Sequence, residues 1–325
     1  MHKTLRRLTR SSLIAFALLT AGGAVAQDFP NRPIRIIVPY LPGGVTDILG
    51  RTVAGGLTKL LGQSAVVENK PGAGGAIGTE FVARAVPADG YTLVITSPGI
   101  PTYPIFNKMN YDPVKDLNHI SILVDGQLVM WTNPQAPYNN FNEMIAYARA
   151  NPGKLNFGAP GLQSNITMFI EGMKQKFGVS VVLIPFKGTA ETRVAVASNE
   201  IQVGTNDIGT ATQEYQAGRG KPLAVTGPRR VPAFPQVSTF AELGYTDFIF
   251  SFWLGLAAPA ATPAAIVAKI SNAVMTTMQT QEAKDTLGKA GLDIVATTPE
   301  GATKRIYAEA AYFAAVAQKA GIKPQ

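Results

Sequence analysis

Short β-branched runs that break into glycine turns and then into helical periodicity are the feature that most constrains this chain. The run Ile34-Arg35-Ile36-Ile37-Val38 enters Pro39-Tyr40-Leu41-Pro42-Gly43-Gly44-Val45-Thr46-Asp47. The run Ala65-Val66-Val67-Glu68 enters Asn69-Lys70-Pro71-Gly72-Ala73-Gly74-Gly75-Ala76-Ile77-Gly78. Helical patterns follow both turns, over 47–61 and 77–85, and a further strand is predicted over 91–96. Strand–helix alternation of this kind implies an α/β fold, a parallel sheet with helices on both faces. Ligands of such sheets sit outside the carboxyl ends of the strands, where both glycine turns fall. A helix start also presents unpaired backbone N–H groups at the positive end of the helix dipole, which suits a carboxylate.

The alternation recurs later, with strands over 154–158, 179–184, 201–204 and 221–226 and helices over 165–177 and 189–198. Two units of this kind, joined by apolar extended segments at 121–131 and 247–256, predict two hinged lobes. The expected layout is 27–126 in lobe one, 127–250 in lobe two and 251–325 returning to lobe one. Helices over 264–280 and 300–320 start at Thr262-Pro263 and Thr298-Pro299, each a threonine cap before a proline. They are expected to pack on lobe one.

Residues 1–26 read as an export signal rather than as part of the fold. Lys3, Arg6, Arg7 and Arg10 precede an apolar stretch over 12–21, and Ala24-Val25-Ala26 offers small residues for cleavage after Ala26. The stretch falls short of the roughly 18–20 residues of a membrane span. The expected location is therefore the periplasm. Four of the 29 basic residues lie in this segment, so the remainder only slightly exceed the 21 acids. No basic cluster of nucleic-acid type is present beyond it. Cysteine is absent, which removes thiol nucleophiles and cysteine-bound metals.

In the first loop, Gly43 and Gly44 allow close backbone approach, Thr46 offers a hydroxyl and Asp47 a helix cap; an ordinary strand-to-helix turn is the alternative. Tyr40 stands at the strand mouth and is a candidate pocket wall. The second loop fails as a dinucleotide site, because the third glycine of G-x-G-x-x-G falls on Ile77. In the second unit Ser164 and Thr167 head a helix, and Lys187, Gly188 and Thr189 supply a cation, a glycine and a hydroxyl. Asp207 lies at a strand end, either to accept from a ligand or to cap a helix. Trp131 and Trp253 fall at the extended segments and read as core. Beyond the signal, His119 is the single histidine and stands in an apolar run, which favours a buried structural role. No G-x-S-x-G, H-E-x-x-H or histidine cluster points to catalysis or a metal, and no cofactor is expected.

The chain also resembles the Bug-type (TctC-like) extracytoplasmic solute-binding proteins of tripartite tricarboxylate transporters. The resemblance rests on Phe29-Pro30-Asn31-Arg32-Pro33, Val38-Pro39-Tyr40 with Gly43-Gly44 and Asp47, and Glu68-Asn69-Lys70-Pro71-Gly72-Ala73-Gly74-Gly75. It continues through Pro87-Ala88-Asp89-Gly90-Tyr91, Tyr111-Asp112-Pro113, Asn151-Pro152-Gly153-Lys154 and Pro185-Phe186-Lys187-Gly188, and ends at Ala258-Pro259. It implies a two-lobed periplasmic-binding-protein fold (Venus flytrap, type II-like), without catalysis, acting as a monomer. Such a receptor would hand a di- or tricarboxylate, or an aromatic carboxylate, to integral membrane transporter subunits. It further implies ligand contacts at Gly43, Gly44, Thr46, Asp47, Gly74, Gly75, Ile77 and Gly78, then at Ser97, Ser164, Thr167, Lys187, Gly188, Thr189 and Asp207. Leu162-Gln163 and Thr167 depart from the family pattern, and a more apolar wall there would suit a bulkier or aromatic acid. A receptor serving a sensor kinase, or a secreted hydrolase or isomerase using the same cleft, are the competing readings.

Overall fold

The computed structural model describes residues 29–248 and 250–324; the export segment 1–26 and its cleavage point lie outside the described residues. The first apolar run forms β1 (Ile34–Val38), buried at four of its five positions. Helix α1 (Val45–Leu61) follows, burying Leu49, Val53 and Leu57 at four-residue spacing, so one face meets the sheet. Gly62, at φ 73°, ends it in the left-handed conformation. Strand β2 (Ala65–Asn69), a 3-10 turn (Ala73–Gly75), α2 (Ala76–Arg84) and β3 (Thr92–Thr96) complete the first unit. β1 runs parallel to both β2 and β3.

A four-residue helix, α3 (Tyr103–Phe106), leads to the 16-residue β4 (Leu117–Thr132). Then come α4 (Phe141–Ala150), β5 (Leu155–Pro160), α5 (Asn165–Phe177), β6 (Val181–Phe186) and α6 (Thr189–Ala197). The chain continues as β7 (Val203–Asp207), α7 (Ile208–Gln216), β8 (Lys221–Val225) and β9 (Ser251–Pro259). It closes with α8 (Ala264–Gln279), α9 (Gln281–Lys289), β10 (Asp293–Ile294) and α10 (Pro299–Ala320).

The sheet runs β2-β1-β3-β9-β4-β7-β5-β6, with β8 and β10 also paired to β4. The outer strands are parallel as expected, but the centre is not. β9 lies antiparallel to β3 and to β4, paired from Leu117↔Pro259 to Gln127↔Ser251 with irregularities between His119 and Ser121 and between Ile122 and Val124. Residues 128–132 of β4 then pair with β7 and β8. The apolar segments read from sequence as crossings thus fall largely in strands, 121–131 within β4 and 251–256 within β9. Their length and alternation let them satisfy each other's backbone groups in the interior.

The first half of the sheet is covered by α1, α8 and α9 on one core, which contains Ile36, Val53, Leu256 and Val274. The second half carries an aromatic core including Phe141, Phe157, Phe169, Phe240 and Phe248. Trp253 and Trp131 are both core residues. Helix α10 departs from the expectation that it packs on the first unit alone. Its Ala302 and Ile306 join Ile37, Val94 and Trp253, whereas Phe313, Val316 and Ala317 join the aromatic core. Gln175 Nε2 of α5 also donates to Val316 O at 2.9 Å. Four of its turns thus tie both halves together. No helix among the described residues is long and apolar enough to cross a membrane.

Candidate functional site

The strand ends of both sheet halves open onto one cavity of about 990 Å³. Its walls include the first residues of α1 (Val45), α5 (Asn165, Ile166) and α6 (Thr189, Ala190), together with Asp207 at the start of α7. Helix N-termini from both halves therefore converge on one space. Two of these starts are capped by their own side chains: Ser164 Oγ accepts from Thr167 N–H, and Asp207 from Thr210 N–H. The starts at Gly44 and Gly188 have no side-chain cap, nor does that of α2 at Gly75. Glycine carries no oxygen to satisfy the first-turn N–H groups, which leaves them for another acceptor.

On the first wall, Tyr40 Oη donates to Gly74 O at 2.9 Å and lies 2.8 Å from Ser97 Oγ. Tyr103 Oη donates to the same Gly74 oxygen at 2.9 Å. Burial raises both phenols above their ordinary range, so both remain protonated donors. The turn beneath them follows a left-handed path, with φ of 136° at Gly72, 46° at Ala73, 64° at Gly74 and 104° at Gly75. A Cβ on Gly75 would stand 2.6 Å from Tyr103 Oη and 3.0 Å from Tyr40 Oη. Conformation and space both demand glycine there.

Several residues singled out from sequence shape this wall from behind instead of lining it. Asp47 has a side chain only 5% exposed. Its carboxylate accepts from Gly43 N–H at 3.1 Å, from Arg51 Nε at 2.9 Å and from Asn69 Nδ2 at 3.0 Å. Burial would raise this acid, but these bonds and the Arg51 charge hold it below its ordinary value. Asp47 is thus a brace that fastens the first loop to the end of β2. Thr46 is buried, and Gly43 and Gly44 are exposed outside the cavity lining. Gly78 is a packing residue, since a Cβ there would stand 2.7 Å from Lys70 O. Ile77 is exposed and lies off the cavity.

On the opposite wall, Ser164, Thr189 and Asp207 line the cavity. Thr167 lies beneath it, donating to Gly161 O at 3.2 Å. Both Asp207 oxygens are engaged by Thr210, at 2.8 and 2.7 Å, so Asp207 caps α7 while facing the cavity. Lys187 is exposed and, like Gly188, absent from the lining. The cation that lines the cavity is Arg193, one helical turn beyond Thr189. Its Nη1 donates at 2.6 Å to Glu214, which is 2% exposed and also holds Arg219 at 2.8 Å. Hydrogen bonds from Arg219, then from Arg193, keep Glu214 below the ordinary carboxylate range despite its burial. Arg193 was legible in principle, because residues four apart share a helix face. Leu162 is 56% exposed and off the lining, so the apolar wall expected from it is not formed; Gln163 lines the cavity instead. Tyr103, Gln127 and Asn206 complete the walls without having been signalled by any motif.

The description "tripartite tricarboxylate transporter family receptor" matches residues 49–322. Protein BugT of Bordetella pertussis is 31% identical over 318 residues, covering 96% of this chain and 97% of its own. The structure of the periplasmic binding protein BugD superposes with a TM-score of 0.72 at 29% identity, over 91% of this chain and all of that one. An R. palustris protein solved with adipate superposes with a TM-score of 0.75 at 31% identity, over 92% of this chain and all of that one.

Proposed function

This chain belongs to the receptor family of tripartite tricarboxylate transporters, and from that premise we propose that it captures a small dicarboxylate in the periplasm and presents it to transporter subunits in the membrane. The observation that carries the proposal is the convergence of glycine-started helices from both sheet halves on one cavity. Uncapped N–H groups supply partial positive charge that suits an anionic ligand without requiring an ion pair at each acid group.

In this reading lobe one comprises 27–126 and 251–325, and lobe two 127–250. One carboxylate binds at the first wall, among Tyr40, Gly74 and Ser97. The second reaches across toward Arg193, which makes two acid groups better than one. The adipate seen in a related structure has this chemistry. By touching both walls the ligand favours a closed arrangement of the lobes. The role is read as one of binding, as the receptor family supports.

The test is thermal unfolding of the purified protein against mono-, di- and tricarboxylates of graded length, with aromatic acids included. A ligand at 100 times its Kd stabilises by about 2.7 kcal/mol, equivalent to a rise of roughly 4–5 °C for a chain of this size. A selective rise with dicarboxylates is expected. A rise with monocarboxylates of equal size, or with none of the acids, would refute the assignment.

A further inference from the structure

Strands β4 and β9 pass from one sheet half to the other at the same level. β4 pairs with β9 as far as Gln127↔Ser251, and its next residue pairs with β7 as Leu128↔Asp207. Ser251 is thus paired in the first half, whereas Phe250 N–H donates to Thr226 O at 3.0 Å in the second. Helix α10 crosses as well. It runs unbroken for 22 residues, with Ala302 and Ile306 in a first-half cluster and Phe313 and Val316 in the aromatic core of the second.

Arg305 of α10 joins all three elements where they cross. Its Nη1 donates to Asp125 Oδ2 on β4 and its Nη2 to Ser251 Oγ on β9, each at 2.7 Å. Its Nε donates at 2.9 Å to Glu309 Oε1, one helical turn on. Glu309 Oε2 in turn accepts from Trp253 Nε1 of β9 at 2.9 Å. Asp125 makes its one side-chain hydrogen bond to Arg305, while its Oδ1 is buried without a partner. A planar guanidinium with every nitrogen engaged fixes direction as well as distance. Beside this junction α10 stands clear of the second half. A cavity of about 630 Å³ separates Ala308 and Tyr312 of the helix from Phe248 and Phe250. Protein interiors are otherwise closely packed, so clearance of this size at a crossing leaves room for one half to turn against the other.

We propose that Arg305 is the positioning residue of the hinge, pinning α10 to both crossing strands so that the lobes keep one angle in the absence of ligand. The inference rests on the reading of the chain as two hinged lobes, and not on which acid it binds.

The chain has no cysteine, so Ala146→Cys and Lys284→Cys, at exposed positions in lobe two and lobe one, accept spin labels at those two sites alone. Pulsed electron spin resonance then gives the distance distribution between the lobes of the purified protein without ligand. One narrow distribution is expected for the labelled parent. Arg305→Lys keeps the charge beside Asp125 but cannot hold three partners at once. Ser251→Ala keeps both ion pairs and removes only the bond to β9. Each is expected to shift or broaden the distribution. Arg230→Gln, which breaks an ion pair with Glu242 inside lobe two, is expected to leave it unchanged. A lowered melting temperature with an unchanged distribution in Arg305→Lys and Ser251→Ala would reduce Arg305 to a structural ion pair and overturn the proposal. A broad distribution in the parent, or equal broadening by Arg230→Gln, would overturn it too. No ligand is present, so these outcomes leave the dicarboxylate assignment to its own titration.

Discussion

The hydroxyl of Tyr40 lies 2.8 Å from that of Ser97, joining the end of β1 to the end of β3. Tyr40 also donates to Gly74 O, so one side chain gathers the mouths of three strands. Tyr40→Phe keeps the ring and removes the bonds. It is expected to lower stability by about 1 kcal/mol and to weaken carboxylate binding several-fold. Thermal unfolding and calorimetry measure the two effects, and unchanged values in both would show that the hydroxyl is idle.

Two glycines in the neighbouring loops are predicted to behave oppositely. Gly75 sits at φ 104° with Tyr103 Oη in the path of a Cβ, whereas a Cβ on Gly44 meets nothing within 4 Å. Gly75→Ala should cost about 1–3 kcal/mol through backbone strain and displaced tyrosines. Gly44→Ala, at φ −81°, should stay within about 1 kcal/mol of the parent. Denaturant midpoints at matched slope decide it, and equal losses would contradict the contrast.

Arg193→Gln should remove most of the advantage of a dicarboxylate over the monocarboxylate of equal length, about tenfold in Kd. The fold should persist, because Glu214 keeps its bonds to Arg219. Lys187→Gln, altered at an exposed position off the cavity, should bind like the parent. Reversal of these two results would return the role of cation to Lys187.

His119 is 2% exposed; Nε2 lies 3.0 Å from Val114 O, and Nδ1 is buried without a partner. Burial lowers its pKa below the ordinary imidazole value. The unfolded chain therefore binds a proton that the folded chain resists, and this contribution to stability is complete above about pH 6.5. It is lost progressively as pH falls from there toward the folded-state value. Melting temperatures of the parent should fall over that window more steeply than those of His119→Gln. Parallel curves would mean that the ring titrates normally.

Much of the fold could be read locally. Helix α5 occupies 165–177 as predicted, because Ser164 caps one end and Gly178 closes the other at φ 60°. Helix α4 was missed although Asn140 accepts from Glu143 N–H, a capping pattern written in the sequence. Helix α7 is not among the predicted elements, although its cap, Asp207, is a helix-cap candidate in the sequence. At the cavity, Tyr40, Gly74, Ser97, Ser164, Thr189 and Asp207 line the walls, at strand ends and helix starts. Lys187 does not, since no local pattern says which way an exposed loop lysine faces.

By itself the sequence determined where strands give way to helices and which helices begin at glycine, because periodicity, capping and turn conformation act over a few residues. Only the tertiary structure decided that Tyr103 reaches Gly74 and that Glu214 orients Arg193. The same holds for Asp125, brought beside Arg305 with one oxygen unpaired. Those contacts join residues of different elements and follow from how the elements pack together, which is set by burial across the whole fold rather than by any local run.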